Sequence, residues 1–361
     1  MIDKKLLKNE ELIVYSLRAL YRRYGYSAYK MSKFEEYDLY VRNKDFLSCD
    51  RMITFTDTSG KLLALKPDVT LSIMNHMGDV DSVQKLYYNE NVYRVAGDSR
   101  NFKEIVQTGL ECVGNIGLYE ICEVLTLAVK SLKTINDNYH LEISHAGLLS
   151  ELLASSGIEG DTANKVREII YNKSTGNISD MLEKGEISSS QAEIVKVLTV
   201  NYKDSDALFS VLENYSENPF LLEFKSVCET LKKLDLLKNV TINFSLVNNM
   251  SYYSGVVFKG YIDGIPQSVL SGGQYDKLLK KLRKNAGAIG FAVYLDSFER
   301  LNLSSDKYDA DIVLIVKDET PDEVLKKAEE LSSDGKRVLV RKELPKDLKY
   351  QKAVFVNGEE C

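Results

Sequence analysis

The sequence predicts an α+β fold in which helices flank an antiparallel sheet. Two pairs of strand-like segments, residues 52–57 with 62–66 and 83–95 with 103–114, are each joined by turn-forming residues. Antiparallel strands are the usual product of such short connections. Residues 157–238 differ, because Gly, Ser and Asn separate short segments rich in Leu, Glu and Lys. That stretch predicts a helical insertion into the fold.

The segments between the predicted strands have helical patterns. Residues 9–24 carry apolar side chains at helical spacing, and Gly25 can end the helix. Residues 67–70 open a second helix, because proline fits the first helical turn, where its missing N–H has no partner. A further helix is predicted at residues 119–133 and a strand at residues 140–144.

Strand patterns resume after the insertion. They occupy residues 240–247, 252–261, 266–270 and 288–293, and a helix is predicted near Leu295.

The C-terminal residues predict a small separate unit. The polar stretch 302–309 is typical of a linker, and residues 310–316 form a buried strand. Thr320, Pro321 and Glu323 have the pattern of a capping box that starts a helix. Two short strands follow, at residues 337–340 and 353–356.

The length of 361 residues favours two domains. We place the first at residues 1–303 and the second, a β-α-β-β unit, at residues 309–361. Hydrophobic residues make up 44% and charged residues 28%, which is typical of a globular protein and excludes global disorder.

The composition also excludes several environments and partners. There is no run of about 18 apolar residues and no apolar N-terminal segment, so we expect a cytoplasmic protein without membrane contact. The five cysteines are scattered, without a C-x-x-C pair, which favours free thiols over a zinc site. The net charge, 47 − 53 = −6, disfavours nucleic acid as the main partner.

Five polar residues predict a pocket over the sheet. Gln107 and Glu111 are four residues apart on one strand, so they share a face, and their burial is costly without a partner. Arg94 on the preceding strand can reach the same place. Asp68 and Thr70 lie at a helix start, where free N–H groups favour a polar ligand.

Each of these residues also has a structural interpretation. Asp68 can simply cap its helix, and Arg94 can be an ordinary surface cation. Gln107 and Glu111 can lie on the solvated face of an edge strand. Tyr252 and Tyr253 can be packing residues, since the chain has 22 tyrosines.

The order of several segments resembles that of histidyl-tRNA synthetases. The segments similar to that family are Leu65–Thr70 (Arg-Pro-Glu-Gly-Thr in the family), Lys85–Arg94 with Lys103–Glu111 (motif 2 of class II synthetases), Ser251–Phe258 (Asp-Tyr-Tyr-Thr-Gly-Thr-Val-Phe), Ser271–Asp276 (Gly-Gly-Arg-Tyr-Asp) and Gly290–Ala292 (motif 3). The resemblance covers residues 9–301 and implies a class II synthetase-like fold, with the insertion where the family has one.

The departures from the family lie at ATP-binding positions. Asn248 stands where the family has a catalytic arginine, and Ser297 stands at the arginine of motif 3. Ala96 replaces a glutamate that helps to position adenine, whereas Arg94 is retained. Adenylate formation concentrates negative charge that cations must stabilise. The resemblance therefore implies a chain without synthetase activity.

The amino-acid side of the family's pocket is retained. The resemblance implies contacts with a histidine-like ligand at Asp68, Thr70, Arg94, Gln107, Glu111, Tyr252 and Tyr253. We expect no metal and no cofactor there.

A synthetase-like chain of this kind resembles the regulatory subunits of ATP phosphoribosyltransferase. That resemblance implies a partner, the short-form catalytic subunit, in the first step of histidine biosynthesis, with histidine feedback. It also implies a homodimer within a hetero-oligomer, although Tyr29–Lys33 lacks the proline of motif 1. The C-terminal unit resembles a truncated anticodon-binding domain.

Two other functions stay open at this point. A divergent histidyl-tRNA synthetase would activate histidine and transfer it to tRNA. A binding protein built on the same fold would recognise RNA without catalysis, and the acidic balance leads us to expect weak, salt-sensitive binding at most.

Overall fold

A computed structural model describes residues 7–47, 52–78, 82–96, 101–247, 252–298, 308–344 and 346–360. The chain divides into two compact units, Met1–Leu301 and Asn302–Cys361. Within the described ranges, none of the helices combines the length and the apolar character that crossing a membrane requires.

The first unit contains the large sheet and most of the helices. Its helices are α1 (Asn9–Arg23), α2 (Tyr37–Arg42), α3 (Val69–His76), α4 (Leu118–Ile135), α5 (Ala146–Ser155), α6 (Gly160–Asn172), α7 (Thr175–Glu183), α8 (Ser189–Thr199), α9 (Ser205–Val211), α10 (Pro219–Lys233) and α11 (Asp276–Lys281). Its strands are β1 (Ser27–Ala28), β2 (Phe34–Glu36), β3 (Thr54–Thr56), β4 (Leu62–Leu65), β5 (Gln84–Ala96), β6 (Asn101–Gly114), β7 (Tyr139–His145), β8 (Val240–Ile242), β9 (Val256–Ile262), β10 (Leu270–Gln274) and β11 (Gly287–Tyr294).

The large sheet has eight strands in the order β1-β5-β6-β11-β10-β9-β7-β8. The α+β prediction is confirmed, with one refinement: β1 pairs with β5, and β7 with β8, in parallel, while the other neighbours are antiparallel. Strand β6, which carries Gln107 and Glu111, lies inside the sheet between β5 and β11. The edge-strand interpretation of these two residues is therefore wrong.

The first predicted strand pair belongs to a separate small sheet. Strands β3 and β4 pair with β2 in the order β2-β4-β3. Helix α3 starts four residues after β4 ends, which places its N-terminus beside the large sheet.

The insertion is helical, as predicted, and consists of α6 to α10. These helices bury apolar side chains, for example Leu221, Phe224 and Leu231 of α10. Helix α10 also packs against α4, so the insertion shares the core of the first unit.

Three strand predictions after the insertion need correction. The strand starting at Val240 ends at Ile242, because the side chain of Asn243 accepts from the Ser245 N–H and starts a short 3-10 turn. Strand β9 begins at Val256 rather than at Tyr252. The strand predicted at residues 266–270 is instead β10, which contains Gly272 and Gly273, residues that seldom occupy strands.

The second unit has the predicted β-α-β-β order. Strand β12 (Ala310–Ile315), helix α12 (Pro321–Ser332), strand β13 (Val338–Arg341) and strand β14 (Tyr350–Phe355) follow one another. The sheet is parallel, with β12 between β13 and β14. Apolar residues of α12, such as Val324 and Ala328, pack on one face of it.

Candidate functional site

A cavity of about 510 Å³ lies over the middle of the large sheet. Its floor lies on three neighbouring strands and includes two glycines. Gly290 of β11 lies between Glu111 of β6 and Gly273 of β10. A methyl group on Gly273 would lie 2.7 Å from the ring of Tyr253. A methyl group on Gly290 would overlap the carboxylate of Glu111. Because these two glycines have no side chain, they leave room for the cavity and for its polar groups.

One end of the cavity is formed by a buried carboxyl group, that of Glu111, which is 1% exposed. The Thr70 hydroxyl donates to its Oε1 at 2.7 Å, and the Tyr275 hydroxyl donates to its Oε2. Burial raises the pKa of Glu111 well above its ordinary value, and the nearby charge of Asp68 adds to this. The hydrogen bond from Thr70 acts in the opposite direction. This end of the cavity therefore favours a ligand that brings positive charge or N–H donors.

A second carboxylate, Asp68, lies at the start of α3. Its Oδ1 accepts from the Leu71 N–H at 2.8 Å, so it caps the helix as well as lining the cavity. The Arg94 guanidinium lies 3.7 Å from Oδ2 and is anchored by a 2.8 Å hydrogen bond to the Pro67 carbonyl. Burial raises the pKa of Asp68, and the charge of Arg94 opposes this. Arg94 is thus a wall of the cavity and not an ordinary surface cation.

Two adjacent tyrosines form another wall. The rings of Tyr252 and Tyr253 meet edge to face with centroids 4.7 Å apart. Tyr252 also packs against Phe46 and Tyr275, each at 5.9 Å between centroids. Burial raises the pKa of both hydroxyls, which therefore stay neutral hydrogen-bonding groups. Their packing role and a ligand-binding role are compatible.

All of the sequence-predicted pocket residues line this one cavity: Asp68, Thr70, Arg94, Gln107, Glu111, Tyr252 and Tyr253. Tyr275, which the sequence placed only within the family-like segment Ser271–Asp276, also lines the cavity. Its position one residue after the end of β10, at a strand-to-helix turn, was the signal for a side chain aimed at the sheet face. Sequence reasoning missed Tyr88, whose ring lies over Gly109.

The structure describes only one of the two positions at which the resemblance implies a missing arginine. Asn248 lies outside the described residues. Ser297 lies in a 3-10 turn after β11 and lines a second cavity with Lys103 and Asp296. Asp296 accepts from the Val106 N–H at 2.9 Å and lies 3.5 Å from the ammonium of Lys103. The motif 3 position is therefore neutral, and the cation beside it already has a carboxylate partner.

Among the residues that the structure describes, no group of three or more His, Cys, Asp or Glu side chains is placed to hold a metal ion. Cys112, Cys122 and Cys228 are buried free thiols, while Cys49 and Cys361 lie outside the described ranges.

The raised pKa of Glu111 predicts a pH effect on stability. The folded chain holds the Glu111 proton more tightly than the unfolded chain does, so stability is highest below the ordinary value near 4.5. It falls as pH rises through the folded-state pKa. Glu111→Gln removes this titration. Thermal unfolding of both proteins from roughly pH 4 to 8 should show the wild type losing stability relative to the variant; parallel curves would contradict the burial of a titrating carboxyl group.

A family profile described as histidyl-tRNA synthetase matches residues 3–298. The chain is 29% identical to an ATP phosphoribosyltransferase regulatory subunit of Clostridium acetobutylicum, covering 90% of this chain and 83% of that protein. It is 28% identical to a protein of the same name from Clostridium botulinum, covering 84% of this chain and 75% of that one.

Solved structures share the fold. An ATP phosphoribosyltransferase regulatory subunit/histidyl-tRNA synthetase from Bacillus halodurans superposes with a TM-score of 0.74, at 22% identity, covering 98% of this chain and 96% of that one. A chain of an ATP phosphoribosyl transferase (HisG:HisZ) complex from Thermotoga maritima superposes with a TM-score of 0.61, at 21% identity, covering 79% of this chain and 97% of that one.

Proposed function

The chain belongs to the histidyl-tRNA synthetase family, and we propose that it is a regulatory subunit of ATP phosphoribosyltransferase within that family. In this role it does not activate histidine. It joins the short-form catalytic subunit, makes that subunit active in the first step of histidine biosynthesis, and binds histidine as the feedback signal.

The observation that carries the proposal is the contrast between two sets of positions. The residues expected on the amino-acid side line one cavity, with Glu111 and Thr70 in hydrogen-bond contact. The positions expected to hold the ATP phosphates have lost their charge, since Asn248 and Ser297 stand at the two arginine positions. Removing one donor that stabilises developing charge costs on the order of 10²–10³ in rate.

The names of the relatives support the same function. The two Clostridium relatives are called regulatory subunits, and one structural neighbour comes from a complex of the transferase. These names do not favour the alternative of a divergent synthetase. We further propose that the chain acts in the cytoplasm, as a homodimer within a hetero-oligomer.

A sensor must bind its ligand more tightly in one assembly state than in another. We propose that histidine binds the inhibited state of the complex better than the active one. The cavity supports this, because α3 carries both Asp68 and Thr70, and a shift of that helix would change two ligand contacts together.

The direct test is co-purification with a short-form ATP phosphoribosyltransferase catalytic subunit. We expect a stable complex whose phosphoribosyl transfer rate exceeds that of the catalytic subunit alone, and we expect added histidine to lower it. Bovine serum albumin at the same concentration controls for nonspecific stabilisation. Equal activity with and without this chain would contradict the regulatory function.

A further inference from the structure

Lys259 is a cation on the wall of the cavity that sequence reasoning did not single out. It lies on β9, two residues after Val257, so both residues share the face of the sheet that forms the cavity. Ser271 of β10 lies directly opposite Lys259. Lys259 is half-buried.

Among the described residues, Lys259 has no carboxylate partner. Arg94, the other cation of the cavity, lies 3.7 Å from Asp68. Glu142 of β7 is directly opposite Lys259 on the other side, and burial together with the charge of Glu142 raises the pKa of the neighbouring Tyr261 hydroxyl to about 12. An ammonium on the wall of the cavity that has no carboxylate partner favours an anionic group of a ligand.

The neighbours of Lys259 are hydroxyl groups that can donate to the same anion. The Ser271 hydroxyl lies 3.0 Å from that of Tyr294. Ser268 and Tyr253 line the same side of the cavity. Hydroxyls and one ammonium form a surface suited to a carboxylate.

The acidic end of the cavity lies across the sheet from this surface. Glu111 is on β6, and the strand order β6-β11-β10-β9 puts three strand spacings, roughly 14 Å, between its backbone and that of Lys259. The cavity therefore has carboxyl groups at one end and an ammonium at the other, an arrangement that fits a small zwitterion.

Resting on the proposed function, we propose that Lys259 binds the α-carboxylate of the amino-acid ligand. The acidic end then receives the positively charged and N–H groups of the same molecule.

The test combines two ligands with two variants. L-Histidine and L-histidinol differ in the carboxylate, which histidinol replaces with a hydroxymethyl group. Calorimetric titration of the full chain should show Lys259→Met weakening histidine binding by about 10- to 100-fold, the range for a hydrogen bond to a charged group. Its affinity for histidinol should stay within about threefold. Lys133→Met removes an exposed lysine of α4 and should bind both ligands like the wild type.

The outcomes separate this inference from the function on which it rests. Equal affinity losses for both ligands, or none, would overturn the role of Lys259 while leaving the histidine site intact. Absence of histidine binding by the wild type would overturn both. Lys259→Arg keeps the charge and should restore the preference for histidine, which also settles the matter if the methionine variant fails to fold.

Discussion

Replacing Lys66 with methionine is expected to destabilise the first unit by about 3–5 kcal/mol, the usual cost of removing one partner of a buried ion pair. The Lys66 side chain is 0% exposed, and its ammonium lies 2.9 Å from Oε2 of Glu90, which is 13% exposed. Burial lowers the pKa of Lys66, while the contact with Glu90 opposes this. Without the ammonium, a carboxylate would remain in a site that water scarcely reaches.

Lys61, at the opposite end of strand β4 from Lys66, provides a matched control. Lys61 also pairs with a glutamate, Glu36, but the two side chains are 51% and 60% exposed. Exposed pairs contribute about 0–1 kcal/mol, so Lys61→Met should unfold at nearly the wild-type urea concentration. A second variant, Lys66→Met with Glu90→Gln, removes the unpaired charge and should recover part of the loss.

Urea unfolding followed by circular dichroism measures these differences. Lys66 precedes Pro67 and Asp68, so we also expect Lys66→Met to weaken histidine binding by moving the start of α3. If Lys66→Met and Lys61→Met unfold at the same urea concentration, the buried pair does not hold this segment in place.

Much of the fold could be predicted from local patterns. The strands before the insertion and the helices α1, α3 and α4 have apolar periodicities or end signals that act over a few residues. Strand β10 could not be found this way, because two of its five residues are glycines. A side chain at either glycine would collide with atoms of the neighbouring strands or of Tyr253, and these atoms belong to residues that are remote in sequence.

The candidate site shows the same division between local and remote causes. The shared face of Gln107 and Glu111 follows from the two-residue period of a strand, and Asp68 follows from helix capping. The contact between Thr70 and Glu111 joins residues 41 positions apart, and that between Tyr275 and Glu111 joins residues 164 apart. Lys259 could not be assigned from sequence because its neighbours, Ser271 and Glu142, come from two other strands.

The second prediction concerns the ATP-dependent activation of histidine by the chain without a partner. Adenylate formation would require cations on the phosphates of ATP, and the resemblance to synthetases puts Asn248 and Ser297 at two arginine positions of that family. Arg94 remains but is engaged with Asp68 and the Pro67 carbonyl. We expect histidine-dependent ATP–pyrophosphate exchange to be reduced by at least about 10²–10³-fold relative to a histidyl-tRNA synthetase.

We do not expect Lys259 or Lys103 to replace the missing arginines. Both place an ammonium near the sheet, and neither has the planar guanidinium that binds phosphate oxygens in pairs. The double variant Asn248→Arg with Ser297→Arg restores arginine at positions 248 and 297. Its rate of ATP–pyrophosphate exchange tests whether the lost charges alone explain the loss of exchange.

The proposed function requires a synthetase fold that binds histidine in its cavity but does not use ATP. One preparation of the wild-type chain should be measured twice, by calorimetric titration with histidine and by histidine-dependent ATP–pyrophosphate exchange. We predict saturable histidine binding with no exchange above background. Exchange at a rate typical of a synthetase would contradict the account.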